Sequence, residues 1–456
     1  MTLAADLRDL VAVNDGDSAL EQHAADLSYH PAARPDIVVY PESAAEVAAV
    51  LEYADRERIP VVPFGAGTSL EGHVIPLRGG ISLDLTRMDA IVAVRPDDLT
   101  ATVQAGVTRR QLEAATGPQG LWFPVDPGAD ATLGGMAATN ASGTTTVRYG
   151  GMRAHVLELE AVLAGGRVIR AGSRAVKTSA GYHVAGLFIG SEGTLGVITE
   201  LTVRLHPIPE HIVVARAPFP TVEAACRAAG ALIAAGVQLT RCELLDAMTI
   251  AALNAFAGAD YPVSPYLFLE LGGTEAAVAG DLETAREIVD DEGGTSFDAE
   301  SDPTARAQMW GMRHNALMAS LALAPGAKAM TTDVAVPVSQ LPAAIEQARR
   351  ALEETDLRGG IVGHVGDGNF HVAFLLDPDD ASSLARAKEL NDRVVEDALA
   401  RGGTCTGEHG VGFGKLPYLV QEHPDLVPLY AGIKHVFDPN NIMNPGKVVP
   451  ADAGMT

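Results

Sequence analysis

Residues 363–371 read GHVGDGNFH, and this stretch decides the fold class. Gly366, Asp367, Gly368 and Asn369 are turn residues. Ile361 and Val362 precede them, and Phe370, Val372, Ala373 and Phe374 follow. Apolar β-formers on both sides of a Gly/Asp/Asn turn predict a hairpin over 361–376. A hairpin makes antiparallel neighbours, so its sheet cannot be all-parallel. It also folds His364 and His371 towards each other. Imidazole is the commonest protein metal ligand, which makes the pair a candidate metal site. A third ligand is needed, and GTCTGEHGVG at 403–412 offers Glu408 with His409 beside it. The plainer alternative is two hydrogen-bonded histidines near a turn.

Outward from the hairpin, strand-like and helix-like segments alternate. VVARAPF is followed by a predicted helix over 222–235, closed by Gly236. YLFLELGG begins at Tyr266, and helices are predicted over 275–292 and 304–323. A strand near TTDVAVP and helices over 341–354 and 380–400 complete the pattern. With the hairpin, this predicts an α+β domain on an antiparallel sheet. Arg313 in the long helix and Lys328 in PGAKAM lie among small and apolar residues. They are candidate anion partners, or else surface cations.

The first half has a different texture, and HPIP at 206–209 marks the boundary. A helix is predicted over 41–58, with Ser43 and Glu46 as a capping box and Val47, Val50, Leu51 and Ala54 on one face. A buried strand over 59–64 leads into GAGTSLEG at 65–72. Glycines let a backbone approach a ligand and present its N–H groups to an anion. Thr68 and Ser69 add hydroxyls, so the loop is a phosphate-cradle candidate. It is not a dinucleotide fingerprint, because the third glycine position falls at Leu70 and no helix pattern follows. β-Structure is predicted over 81–107, then a short helix capped by Thr108 and Gln111 that stops at Gly117-Pro118. PGADATLGGMAATNASG at 127–143 reads as a flat, small-residue surface. GSEGTLG at 190–196 reads as a loop between strands LFI and VITELTVRL. Three such loops in one domain favour an extended nucleotide-like ligand over ordinary turns.

The chain has 456 residues, 47% of them hydrophobic, and fits two or three domains. A net charge of -25 disfavours nucleic acid and anionic membrane as partners, while suiting a basic protein partner such as a small cytochrome. Three cysteines without CxxC spacing make no disulfide framework, which predicts a reducing compartment. Asp6 and Asp9 stand where a signal peptide would be basic or apolar, and no apolar run reaches transmembrane length. The expected location is cytoplasmic, with peripheral membrane attachment as an alternative. The tail at 451–456 is expected to fray.

Six motifs taken together resemble the FAD-linked 2-hydroxyacid dehydrogenases. They are PFGAGTSLEG at 63–72, DPGADATLGGMAATNASG at 126–143, FIGSEGTLGVITE at 188–200, HVGDGNFH at 364–371, GTCTGEHGVG at 403–412 and FDPNNIMNPGK at 437–447. That family includes cytochrome-type D-lactate dehydrogenase, D-2-hydroxyglutarate dehydrogenase and the glycolate oxidase flavin subunit. The resemblance implies an α+β protein of the vanillyl-alcohol-oxidase (PCMH) type. A two-lobed FAD-binding domain would span 1–207, a substrate (cap) domain with an antiparallel sheet 208–400, and a C-terminal segment returning to the flavin 401–456. It implies that Gly65, Ala66, Gly67, Thr68, Ser69, Gly72 and His73 hold the FAD pyrophosphate, with Pro63 also binding the cofactor. Pro127, Thr132, Gly135, Ala138 and Ser142 would line the flavin and its phosphates. Glu192 and Ile198 would lie along the cofactor, and Asn444 near the isoalloxazine. His364, His371 and Glu408 would bind zinc or manganese. His409 would be the base, and Arg313 and Lys328 would grip the substrate carboxylate.

The implied activity is oxidation of a D-2-hydroxy acid, D-lactate foremost, with glycolate or 2-hydroxyglutarate as alternatives. Cytochrome c, a quinone or an electron-transfer flavoprotein would accept the electrons, and a homodimer is compatible with the family. A non-catalytic flavin-binding subunit and a non-redox enzyme on the same fold are the competing classes. The chain departs from relatives that handle 2-hydroxyglutarate. They carry Asn two residues beyond the second histidine, where this chain has Ala373. They carry a hydroxyl four residues beyond the arginine, where it has Leu317. Both changes favour a short or apolar substrate side chain.

Overall fold

The computed structural model describes residues 3–450 apart from Pro378 and Ala381, so the tail at 451–456 lies outside the described residues. The chain forms two units. The first is Met1–Ser142, Gly150–Ile208 and Glu408–Thr456, and the second is Gly143–Tyr149 and Pro209–Gly407.

The first unit holds two larger sheets. In one, Ala12–Asn14, Ile37–Tyr40, Ile81–Asp84 and Val61–Phe64 lie side by side in that order, the last three parallel. The helix Ala44–Glu57 carries the chain from Ile37–Tyr40 to Val61–Phe64, the two parallel strands that flank Ile81–Asp84. Val47, Val50, Leu51 and Ala54 are all buried, as their helical spacing predicts. Ser43 Oγ accepts from Glu46 N–H at 3.3 Å, but the Glu46 carboxylate accepts from Glu42 N–H, so the box is only half formed. At Thr108 both halves are present, and the helix Arg109–Thr116 starts there. The other sheet is antiparallel, in the order Ile91–Arg95, Thr100–Gln104, Val197–Arg204, Val156–Val162, Val168–Gly172. The last segment of the chain returns to this unit, where Met443 bridges in parallel to Val61.

Two readings of this unit need correction. LFI is not a strand, because Val184–Phe188 is helical and buries Phe188 in the core. A short apolar run fits either helix or strand by period alone. The stretch at 127–143 is not a flat surface throughout, because Leu133–Thr139 is a helix capped by Thr132. Its small residues serve packing: a Cβ at Gly134 would fall 2.6 Å from that of Ala105.

The second unit is one antiparallel sheet. Its order is Asp298–Glu300, His211–Pro218, Tyr266–Gly273, Leu239–Leu245, Arg358–His364, Asn369–Leu376, Lys328–Thr331, and Val334–Ala335 also pairs with Asn369–Leu376. The hairpin is present, with Val362 opposite His371 and His364 opposite Asn369. Gly368 sits at φ +86°, a turn conformation that only glycine adopts freely. The helices Ala247–Ala257, Pro303–His314 and Ala316–Ala322 enclose a core of Val214, Leu245, Phe268 and Trp310. The single helix predicted over 304–323 is two, broken at Asn315 with φ −86° and ψ 0°. The strand predicted near TTDVAVP is likewise two short ones, Lys328–Thr331 and Val334–Ala335.

Candidate functional site

In the first unit the three glycine-rich loops converge. A Cβ on Gly65 would fall 2.4 Å from Thr132 Oγ1, and one on Gly193 (φ +72°) 2.9 Å from Pro63 Cγ. Gly67 (φ +65°) is pressed against the Phe64 ring. Side chains are thus excluded from a half-buried loop whose amides at Ala66, Gly67, Thr68 and Ser69 donate to no protein acceptor among the described residues. Such a backbone suits an anionic ligand. Ser69 Oγ donates to Asp26 Oδ2 at 3.1 Å. Ala138 and Gly135 lie on the capped helix, and Ile198 is buried on its strand.

Glu192 is the hub of this unit. Its Oε1 and Oε2 accept from Val411 N–H and Gly412 N–H, each at 2.7 Å, and Oε1 lies 3.3 Å from His73 Nε2. Burial pushes the carboxyl up, but the His73 charge and these donors hold it below its usual range. Burial pushes His73 down, yet Glu192 outweighs it and lifts the imidazole above its ordinary value. His73 Nδ1 is buried without a hydrogen-bond partner among the described residues. Asn444 Nδ2 donates to His73 O and Glu192 O, and Lys447 Nζ to His73 O, Ile75 O and Asn444 Oδ1. Burial pushes Lys447 down to about 8. Four residues before the Glu192-bound amide of Gly412 stands Glu408, which accepts from Ser142 Oγ at 3.4 Å.

In the second unit the hairpin brings His364 and His371 together, with ring centroids 5.5 Å apart. Residues directly opposite in a sheet share a face, and so do alternate residues along a strand. His371 faces Val362, and Val362 alternates with His364, so both imidazoles lie on the sheet face covered by the helix Pro303–His314. His371 Nδ1 donates to Thr332 O at 3.0 Å, and His364 Nδ1 to Glu243 Oε1 at 2.7 Å. A ring held in this way directs the Nε2 lone pair outward, as a ligating imidazole does. Asp333 is buried beside them, accepting from Asn369 Nδ2 and Thr406 Oγ1. The donor set of two oriented imidazoles with carboxylates behind them fits a divalent metal.

Arg313 reaches the same place. Its Nε donates to Glu243 Oε2 at 2.8 Å, and its terminal nitrogens have no protein partner among the described residues. Lys328 is exposed on the strand Lys328–Thr331, opposite Leu376. Glu243 was missed from sequence. Its side chain is fully buried, and burial pushes its carboxyl up, but His364 and Arg313 together hold it below the carboxylate range. The signal was there in a lone acid inside the apolar strand RCELL. Ala373 is buried in the hairpin, and Leu317 is exposed on the helix Ala316–Ala322.

Residues 35–172 match the family model described as "FAD binding domain", and residues 208–448 match "FAD linked oxidases, C-terminal domain". The chain belongs to the FAD-linked oxidase family. As a member it is an FAD-dependent oxidoreductase. It is 45% identical over 441 residues, 96% of this chain and 89% of the other, to "Probable D-lactate dehydrogenase, mitochondrial" from Danio rerio. It is 42% identical to "D-lactate dehydrogenase [cytochrome], mitochondrial" from Arabidopsis thaliana, covering 93% and 75%. It is 36% identical to "Glycolate oxidase subunit GlcD" from Escherichia coli (strain K12), covering 91% and 84%. A solved 4-ethylphenol oxidase from Gulosibacter chungangensis superposes with a TM-score of 0.82 at 17% identity, covering 98% and 97%. The p-cresol methylhydroxylase structure gives 0.81. The fold is therefore of the vanillyl-alcohol-oxidase/PCMH type, an α+β FAD-binding domain joined to a domain with a large antiparallel sheet. Among the described residues no helix is long and apolar enough to cross a membrane.

Proposed function

We propose that this chain oxidises a D-2-hydroxy acid, D-lactate by preference, to the 2-oxo acid. The likeness over nearly its whole length to proteins named D-lactate dehydrogenase carries this reading. The oriented imidazole pair and the open end of Arg313 support it. FAD supplies the two-electron acceptor, and a divalent metal, zinc or manganese, supplies a Lewis acid for the hydroxyl oxygen. The amides of 65–69, with Gly72 and His73, would hold the cofactor's pyrophosphate. Pro63, Pro127, Thr132, Gly135, Ala138, Ser142, Ile198 and Asn444 would line the rest.

Arg313 binds the substrate carboxylate through its terminal nitrogens in charge-assisted bonds, whereas Lys328, exposed opposite Leu376, lies on the other face of the sheet from His371 and takes no part. His364 and His371 would hold the metal, with Glu408 as third ligand. His409 takes the hydroxyl proton as general base. The roles of Glu408 and His409 rest on the motif resemblance. The name of the Arabidopsis thaliana relative makes cytochrome c the acceptor to try first.

Mixing the purified flavoprotein anaerobically with a panel of D- and L-2-hydroxy acids tests the reading. D-Lactate should bleach the flavin absorbance fastest, and added cytochrome c should restore it. A flavin left oxidised by every 2-hydroxy acid would refute the activity. Faster bleaching by glycolate would favour a second reading, which the likeness to the Escherichia coli glycolate oxidase subunit supports.

A further inference from the structure

One carboxylate ties together the two candidate groups of the second unit. Glu243 Oε1 accepts from His364 Nδ1 at 2.7 Å, and Oε2 accepts from Arg313 Nε at 2.8 Å. The register explains how. Leu244 lies opposite Gly363 and Leu245 opposite Val362, so one further antiparallel step sets Glu243 against His364. Arg313 descends onto the same carboxylate from the last turn of the helix Pro303–His314. A fully buried carboxylate is strongly disfavoured unless paired, so neither partner can leave without the other feeling the loss.

The geometry points to Glu243 as a positioning residue that fixes the imidazole and the guanidinium relative to each other, and so selects 2-hydroxy over 3-hydroxy acids. This rests on the reading above, in which His364 holds a metal for the hydroxyl and Arg313 holds the carboxylate. In a 2-hydroxy acid those two functions sit on adjacent carbons. In a 3-hydroxy acid they are one carbon further apart, a bond of about 1.5 Å. Two groups anchored on the two oxygens of one buried carboxylate cannot spread to follow. Glu243 touches neither substrate nor metal in this scheme and acts through its partners.

The near-isosteric variant Glu243→Gln breaks the arrangement. It offers one acceptor and one donor, and the donor would face another donor. Glu243→Asp keeps the charge but withdraws it by one methylene, so it cannot reach both partners. Each is compared with wild type and with His371→Ala as FAD-loaded protein. Metal affinity is read by titration with Zn2+ and Mn2+, and kcat/KM is measured for D-lactate and for D-3-hydroxybutyrate. Both Glu243 variants should keep FAD and lose metal affinity 10- to 100-fold, the range for such supporting groups. The preference for D-lactate over D-3-hydroxybutyrate should drop at least tenfold. Metal affinity and preference both within twofold of wild type, while His371→Ala loses metal, would overturn the role of Glu243 alone. Full metal binding by His371→Ala would instead overturn the metal reading beneath it. If Glu243→Gln does not fold, Glu243→Asp decides by the same two numbers.

Discussion

Replacing Glu192 by Gln should loosen the backbone just after Glu408 and His409. Both carboxylate oxygens are occupied, each by a backbone N–H at 2.7 Å, and the group is buried against His73. Gln keeps one acceptor. The variant therefore loses one charge-assisted bond, about 1.5–3 kcal/mol, and leaves a buried N–H unpaired, about 1–3 kcal/mol more. The sum is roughly 2.5–6 kcal/mol, directed at the amides of Val411 and Gly412. At 1.4 kcal/mol per factor of ten, even the lower figure raises the population of the open form by about 60-fold. The assay is hydrogen exchange by mass spectrometry on a peptide covering 408–415. Exchange there should quicken by about two orders of magnitude, while the strand Val156–Val162 keeps its protection. Rates at 411 and 412 within threefold of wild type would mean that Glu192 does not hold this segment. The left-handed backbone of Glu192 (φ 55°) agrees with a residue kept for its contacts at a conformational cost.

Lys447 has its folded value pushed down to about 8 by burial, against an ordinary 10.5. Below pH 8 both folded and unfolded chains carry the charge, so the burial penalty is fully present. From pH 8 to 10.5 the folded state sheds the proton first, and stability rises. Relative to Lys447→Met, wild type should gain about 2–3 kcal/mol between pH 7 and 10 in urea melts, and parallel pH profiles would contradict the buried charge. Gly412→Ala forces a side chain at φ +52° to within 1.9 Å of Glu71 O, whereas Gly402→Ala, at φ +77°, meets nothing within 4 Å. The first should cost more than about 3 kcal/mol and the second about 1–2, and equal losses in thermal melts would show that space does not decide the difference. Dialysis against a chelator should abolish D-lactate turnover while the flavin spectrum persists, with Zn2+ or Mn2+ restoring activity. Full turnover by protein shown metal-free by elemental analysis would remove the metal from the scheme.

Much of the fold could be read along the chain because its signals are local. The Thr108–Gln111 capping box, the apolar face of Ala44–Glu57 and the Gly-Asp-Gly-Asn turn each depend on neighbours a few residues away. Val184–Phe188 misled because a short apolar run lacks a distinguishing period. The break at Asn315 misled because no proline or glycine marks it.

The candidate site divides along the same line. Residue types indicated a nucleotide-like ligand and a candidate metal pair, because glycine-rich loops and paired imidazoles suit those groups, and the resemblance carried by the six motifs pointed to the FAD-linked family. What tertiary structure alone decided is which acid answers which base. Glu243 meets His364 across 121 positions of chain, and Glu192 meets Gly412 across 220. No periodicity or turn rule spans such distances. A buried charge finds its partner only when strands and helices have packed and water, the competing partner, has gone.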